Sequence, residues 1–283
     1  MVSKEKLNQS INRRQRKSVF LVILMSVLSV IVLIPLVSII EMVIQNGIKA
    51  FTPHMIYQYA TTLAPERNAL IGGFIGSTIM IALGVGVALP ISIVVGVLCV
   101  EYPTHWITKL SRLSVDIIQG TPSIVVGIVV YCWMVMPNSQ FSGLAGGVAL
   151  AIIMLPVTIR STEEVLLKVP SQIKESALAL GVPYFRAIQK AVLPSAMRGI
   201  VSSACIAISR VSGETAPLLL TALGTPFITT NILNEMGALP LMIYHYATSP
   251  DTTWQYLAWG GAMALISMNV ILVTTANWIG YEK

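Results

Sequence analysis

Charge is what this chain has least of. Asp, Glu, Lys and Arg make up only 11% of its 283 residues, against 55% hydrophobic residues, and mean hydropathy is +0.77. A soluble globule would lack polar surface at that composition. A polytopic membrane protein needs little of it. Cysteine is scarce as well. Cys99, Cys132 and Cys205 fall in apolar stretches, with no zinc-type or CxxC spacing, and are expected to be small packing residues. The three histidines, His54, His105 and His245, are scattered, and none belongs to an HExxH or Ser/His/Asp-like grouping. They are expected to be ordinary surface or packing residues, which leaves an intramembrane hydrolase or a metal site without a constellation to stand on. No GxxxxGK[ST] phosphate loop occurs anywhere. If ATP drives this protein, a different polypeptide hydrolyses it. No internal repeat or low-complexity segment is evident.

The net charge of +6 invites a nucleic-acid reading, but its distribution argues against one. Six of the 18 Lys/Arg lie in residues 1–18, and six more lie from Arg160 to Arg198. Such clustering marks cytoplasmic loops. The basic Arg13-Arg14-Gln15-Arg16-Lys17 precedes an apolar run from Val19 to Ile40. That run is too long for a cleavable signal and no small-x-small site follows it, so it reads as a retained first span.

Six segments are apolar over a bilayer's width of roughly 20 residues: about 19–44, 70–100, 120–136, 143–160, 197–222 and 254–277. The expected fold is all-α, a membrane protein of six transmembrane helices. Residues 1–18 form a basic cytoplasmic tail, 45–69 an external loop, 161–196 a cytoplasmic loop and 278–283 a cytoplasmic C-terminal tail. The 101–118 loop also faces the cytoplasm. The 137–142 turn and the 223–253 segment, which carries no Lys or Arg, face outside. Both termini are then cytoplasmic. Pro35, Pro90, Pro156 and Pro217 lie in or near spans and permit kinks. Gly72, Gly76, Gly84, Gly86, Gly143 and Gly147 offer small faces for close helix packing.

Two charges interrupt the fifth span. Counting from residue 197 at about 1.5 Å per residue puts Arg210 deep in the apolar layer, where a charge costs at least about 2.5–3.5 kcal/mol and so faces protein or water. Helical spacing puts Ser203, Ala207, Arg210, Glu214 and Thr221 on one small, polar stripe. Arg210 and Glu214 stand at i, i+4 and can pair. Pairing alone leaves unexplained why both charges are there, which favours a permeation role. The planar donors of arginine fit a tetrahedral oxyanion. Glu214 fits an anion path if the anion carries protons: phosphate at neutral pH still has hydroxyl hydrogens to donate, whereas sulfate has none and is repelled. Arg160, at the cytoplasmic end of the fourth span with Glu163 and Glu164 one turn on, is a further candidate for an anion contact. It is equally a positive-inside anchor paired with a neighbouring acid. Asp116 and Gln119 read as the polar entry to the third span.

Residues 175–194 form a soluble-looking island between apolar stretches. Pro170-Ser171 opens a short helix with Ser171 as its expected N-cap. Gly181 closes it and Pro183 suits the first turn of a second helix. Leu178, Tyr184, Phe185 and Ile188 give this knob an apolar side for a partner's groove, with an interfacial helix on lipid headgroups as the plainer alternative.

The spacing Glu175-x-Ala177-x3-Gly181-x11-Leu193-Pro194 resembles the EAA loop of ABC-importer permeases, departing at Ser176 and Ala191. In that family the loop docks a separate ATPase. Other stretches resemble the phosphate-transport permeases of the PstA type. These are Arg210-Val-Ser-Gly213-Glu214-Thr215-Ala216-Pro217, Gly120-Thr121-Pro122-Ser123, Arg160-Ser-Thr-Glu-Glu164, and Leu239-Pro240 through Pro250-Asp251. The likeness covers about residues 70–277. It implies the type I ABC-importer permease fold and a role as one half of the pathway in an ATP-driven phosphate importer. Glu175, Ala177, Gly181, Tyr184 and Phe185 are then the ATPase-coupling residues, and Arg210, Glu214 and Arg160 line the substrate pathway. The implied partners are a homologous permease (PstC type), a dimeric ATPase carrying ATP-Mg (PstB type) and an extracytoplasmic phosphate-binding protein (PstS type), with membrane lipid around the bundle. A permease for another oxyanion, sulfate or molybdate, is the same-class rival. A membrane scaffold that signals through its cytoplasmic loop is the different-class one.

Overall fold

The computed structural model describes residues 4–50, 70–225 and 227–281. Residues 51–69 of the expected external loop, His54 with them, lie outside the described residues, as do Glu282 and Lys283. Among the described residues the chain is helical, with a single bridge between Leu223 and Met236 as its only β-type pairing. We number the helices α1 (Lys4–Ala50), α2 (Ile71–Glu101), α3 (Trp106–Gly120), α4 (Ser123–Asn138), α5 (Gly143–Leu167), α6 (Ser171–Ala179), α7 (Tyr184–Val211), α8 (Ala216–Thr221), α9 (Leu239–Ala247) and α10 (Thr252–Tyr281).

Five of these helices are long and apolar enough to cross a membrane. The pair α3 and α4, bent by 106° at Thr121-Pro122, makes a sixth span if counted as one. The bend has a local cause. Pro122 lacks an amide hydrogen and forbids helical backbone at Thr121, which is extended at φ −84°, ψ 132°.

The centre of the bundle is the α2–α5 pair. Gly84 lies against the Gly147 carbonyl and Ala151, so the two backbones approach as closely as small residues allow. Ser92 and Thr158 share a buried 2.5 Å hydrogen bond across the same seam. In lipid such a bond is worth about 0.6 kcal/mol, so close packing holds the pair more than polarity does. Met80, Leu150 and Met154 fill the seam, joined by Val211, Leu218 and Met236 from later segments.

The segment after α8, which carries no Lys or Arg, is folded into the bundle and is not an open loop. Met236 is fully buried, Leu239–Ala247 is helical, and Leu241 is fully buried. Gly76 of α2 approaches the Gly237 carbonyl so closely that a side chain there has no room. The carbonyls of Asn234 and Ile232 accept from the amides of Gly143 and Leu144 at 3.0 and 2.8 Å, and the Ser142 hydroxyl accepts from Ala145. The orphan donors at the start of α5 are thereby satisfied.

Other expectations need adjusting. Gly86 has no close neighbour, so it is no packing face. Cys99 is buried, but Cys132 is exposed, on the outer side of α4. His105 caps α3, its Nδ1 accepting from the Ile107 amide at 3.3 Å. In α1 the side chains from Val19 to Ile40 are exposed in the isolated chain, and only its last turns, at Val43, Gly47 and Ala50, pack, Gly47 against Met263 of α10.

Two helices contain a five-residue π-turn, Tyr131–Val135 in α4 and Ile188–Val192 in α7. Each ends two residues before a proline, Pro137 and Pro194. The amide just before each proline bonds five residues back, Met136 to Tyr131 and Leu193 to Ile188. The wider turn makes room for a ring that in a regular helix strikes the preceding carbonyl.

Candidate functional site

The fifth apolar run is not one helix. α7 ends at Val211, the chain turns through Ser212–Thr215, and α8 starts at Ala216 with Pro217 in its first turn. The expected stripe from Ser203 to Thr221 is therefore interrupted, because its periodicity assumed an unbroken helix. Arg210 sits in the last turn of α7, where the unpaired carbonyls favour a cation. Glu214 lies in the break, half-buried, its amide donating to Val211 at 3.1 Å. No ion pair joins Arg210 to Glu214, so the i, i+4 pairing that a continuous helix allows is not made.

Instead, the two charges face one cavity of about 260 Å³. The other helix break lines the same cavity, with Gln119 at the end of α3, Thr121 and Pro122 in the bend, and Ser123 and Val126 at the start of α4. Ile153 and Pro156 of α5 complete the lining. Two interrupted helices thus meet around a guanidinium, a carboxylate, an amide and two hydroxyls. Backbone freed from helices is tolerated at membrane depth where it lines such a cavity, and half-helix ends are a recurrent way to hold ions there. The break is braced from behind. Asn269 of α10 accepts from Ser212 at 2.6 Å and from Ser209 at 3.2 Å. Sequence reasoning missed Asn269, although it is the only amide between Ala258 and Val273.

Arg160 is absent from this cavity's lining. It lies one turn beyond Pro156 on α5, paired to Asp116 at 2.5 Å and to Glu163 at 3.8 Å. Asp116 lies one turn before Gln119 on α3. Glu163 also takes Arg112 at 2.5 Å, so two arginines and two carboxylates bridge α3 and α5. The anchoring role weighed for Arg160 is thus occupied in this conformation.

At the far end of α7 the knob has the expected helix–glycine–helix form. Gly181 has φ +77°; its amide donates to Leu178 at 2.9 Å, and that of Val182 donates to Ala177 at 3.2 Å. This double closure ends α6. Pro170, not Ser171, stands at the N-cap, and no side chain caps α6. The second helix is not separate, since α7 runs from Tyr184 through the π-turn into the bundle. Glu175, Leu178, Tyr184 and Phe185 are exposed, as is Leu180 at 84%. Ile188, expected on that surface, is buried with Leu166 and Val192.

These features have counterparts. Residues 88–280 match the model of the binding-protein-dependent transport system inner membrane component family. The chain belongs to that family. It is 38% identical over 236 residues to the phosphate transport system permease protein PstA of Pasteurella multocida, covering 83% of this chain and 84% of that one. The namesakes from Xylella fastidiosa (strain Temecula1) and Haemophilus influenzae are 39% and 37% identical, over 74% and 82% of this chain and 73% and 82% of theirs. Among solved structures, the inward-facing MetNI methionine ABC transporter aligns with a TM-score of 0.55 at 18% identity, covering 75% of this chain and 96% of that one. That likeness bears on the fold, a type I importer permease, and the fold and the family make this a multi-pass membrane protein.

Proposed function

We propose that this chain is one half of the transmembrane pathway of an ATP-driven importer of inorganic phosphate. The observation that carries the reading is the cavity between the two helix breaks, where Arg210 and Glu214 meet Gln119, Thr121 and Ser123. Arg210 supplies charge and a planar donor pair to a tetrahedral oxyanion. The amide and hydroxyls add donors, and Glu214 accepts from the protons that phosphate keeps at neutral pH. A site of this kind binds weakly enough to let its cargo go.

ATP is hydrolysed in this scheme by a separate dimeric ATPase (PstB type) holding ATP-Mg, docked on the knob through Phe185, Tyr184 and Leu180. A homologous permease (PstC type) supplies the other half of the pathway and a phosphate-binding protein (PstS type) delivers the cargo. The knob, the basic N-terminus and the C-terminus lie in the cytoplasm, and the 223–253 segment lies outside. ATPase closure moves the knob, and the helices re-orient around the cavity.

The test is uptake of labelled phosphate by the assembled complex with sulfate as competitor, for the parent chain and for Arg210→Gln. Phosphate uptake that resists sulfate and is lost in the variant is the expected result. Equal competition by sulfate, or parental uptake by a well-assembled Arg210→Gln complex, overturns the reading.

A further inference from the structure

Glu101 is the last residue of α2, and its position is unfavourable on electrostatic grounds. The carbonyl end of a helix repels a carboxylate, and the side chain is only 6% exposed. Two groups offset this. Lys174 of α6 donates to Glu101 Oε2 at 2.9 Å, and the Tyr184 hydroxyl at the start of α7 donates to the same oxygen. Lys174 also lies 5.7 Å from the Tyr184 ring centre. One carboxylate oxygen therefore holds both arms of the knob, one from each side of the Gly181 turn.

We propose that Glu101 is a positioning residue that makes α2 follow the knob, and so carries ATPase movement to the substrate cavity. The inference rests on the reading of the knob as the ATPase-docking element. What lies beyond Glu101 gives it its force. α2 is locked to α5 by the Gly84–Gly147 approach, by Gly96 against Thr162, and by the Ser92–Thr158 bond. α5 carries Ile153 and Pro156, which line the cavity. The covalent path from the knob runs both ways, back through Lys168–Pro170 into α5 and forward from Tyr184 along α7 to Arg210. α2 is remote from the knob along the chain, and the Glu101 contact ties it in, so that the α2–α5 pair follows the knob as one body. Tyr184 belongs to both the docking surface and this contact, whereas Phe185 and Leu180 are exposed and take no part in the contact, so Phe185 is the position that tests docking alone.

The experiment uses the complete complex in proteoliposomes and reads phosphate moved per ATP hydrolysed, alongside ATPase co-purification. Glu101→Gln keeps the shape and removes the charge. It is expected to keep the ATPase bound while the transport-to-hydrolysis ratio falls several-fold. Glu101→Lys is expected to lose the ratio further, and Glu101→Lys combined with Lys174→Glu to recover much of it. A parental ratio in Glu101→Gln and Glu101→Lys overturns the proposal. So does failure of the charge exchange to recover anything, including where the single variants assemble poorly, because a merely structural role lowers transport and hydrolysis together and leaves the ratio alone. Phe185→Asp separates the two readings. If it keeps the ATPase and transports normally, the docking reading itself falls. If it loses the ATPase while the Glu101 variants keep the parental ratio, only the transmission role falls.

Discussion

Arg160 and Asp116 join α5 to α3 at 2.5 Å, one turn beyond the cavity that Arg210 lines. Their side chains are 38% and 58% exposed, so the pair is worth only about 0.2–1 kcal/mol of stability. Its interest is positional. If the proposed anion path leaves the cavity between these helices, Asp116 and Glu163 are the carboxylates an anion displaces from Arg160. Asp116→Asn is expected to retain most uptake, Arg160→Gln to lose most of it, and the double variant to match Arg160→Gln. Equal losses in both single variants make the pair a brace and nothing else. Initial uptake rates in vesicles decide between them.

Arg210 has no carboxylate partner here, so its removal strands no buried charge. Arg210→Gln is expected to fold and assemble normally while uptake drops about tenfold or more, the scale of a lost charge-assisted hydrogen bond of about 1.5–3 kcal/mol. Arg210→Lys keeps the charge without the planar fork and falls between parent and Gln. Size-exclusion profiles of the complex verify assembly, and uptake verifies the rest.

At Gly181 φ is +77°, but a Cβ there meets nothing within 4 Å. The demand is conformational. Gly181→Asn, a residue at ease at positive φ, is expected to keep coupling. Gly181→Val pays about 1–2 kcal/mol in backbone strain and loosens the knob. Gly181→Asp adds charge beside Leu180 and is expected to lose ATPase co-purification while staying inserted. Pull-down of the ATPase ranks the three.

Glu214→Gln preserves size and hydrogen bonding and removes the repulsion against fully deprotonated oxyanions. In a complex made independent of its binding protein, sulfate passage relative to phosphate is expected to rise. An unchanged ratio, measured with both labels in the same vesicles, leaves Glu214 without a part in selectivity.

Much of this was legible in the residues. Apolar length located the spans, and Glu175, Gly181 and Leu193-Pro194 located the knob. Arg210 and Glu214 stood out because charge in an apolar run has few other uses. The misses have physical causes. Periodicity assumes an unbroken helix, so the Ser212–Thr215 break and the missing Arg210–Glu214 pair were invisible. Ile188 was assigned to the knob's outer face because the π-turn, which advances the register, is not written in hydropathy. The absence of Lys and Arg from 223–253 speaks only to the side of the membrane, and the inward packing of Met236 and Leu241 rests on their apolarity instead. Glu101 and Asn269 were single polar residues at the end and middle of apolar runs, a signal that becomes specific only when their partners arrive from elsewhere.

The π-turn at Ile188–Val192 also fixes a phase angle. It holds one residue more than a regular helical turn, and each residue of an α-helix is worth about 100° of rotation. Phe185 and Arg210 are on the same helix, one facing the knob's surface and the other the cavity, and their relative azimuth depends on that extra residue. Deleting a residue from Ile188–Val192 to restore regular winding would swing the knob by about that angle against the bundle. Substitutions that keep the count leave the azimuth in place, so this stretch tolerates changes of identity far better than changes of length.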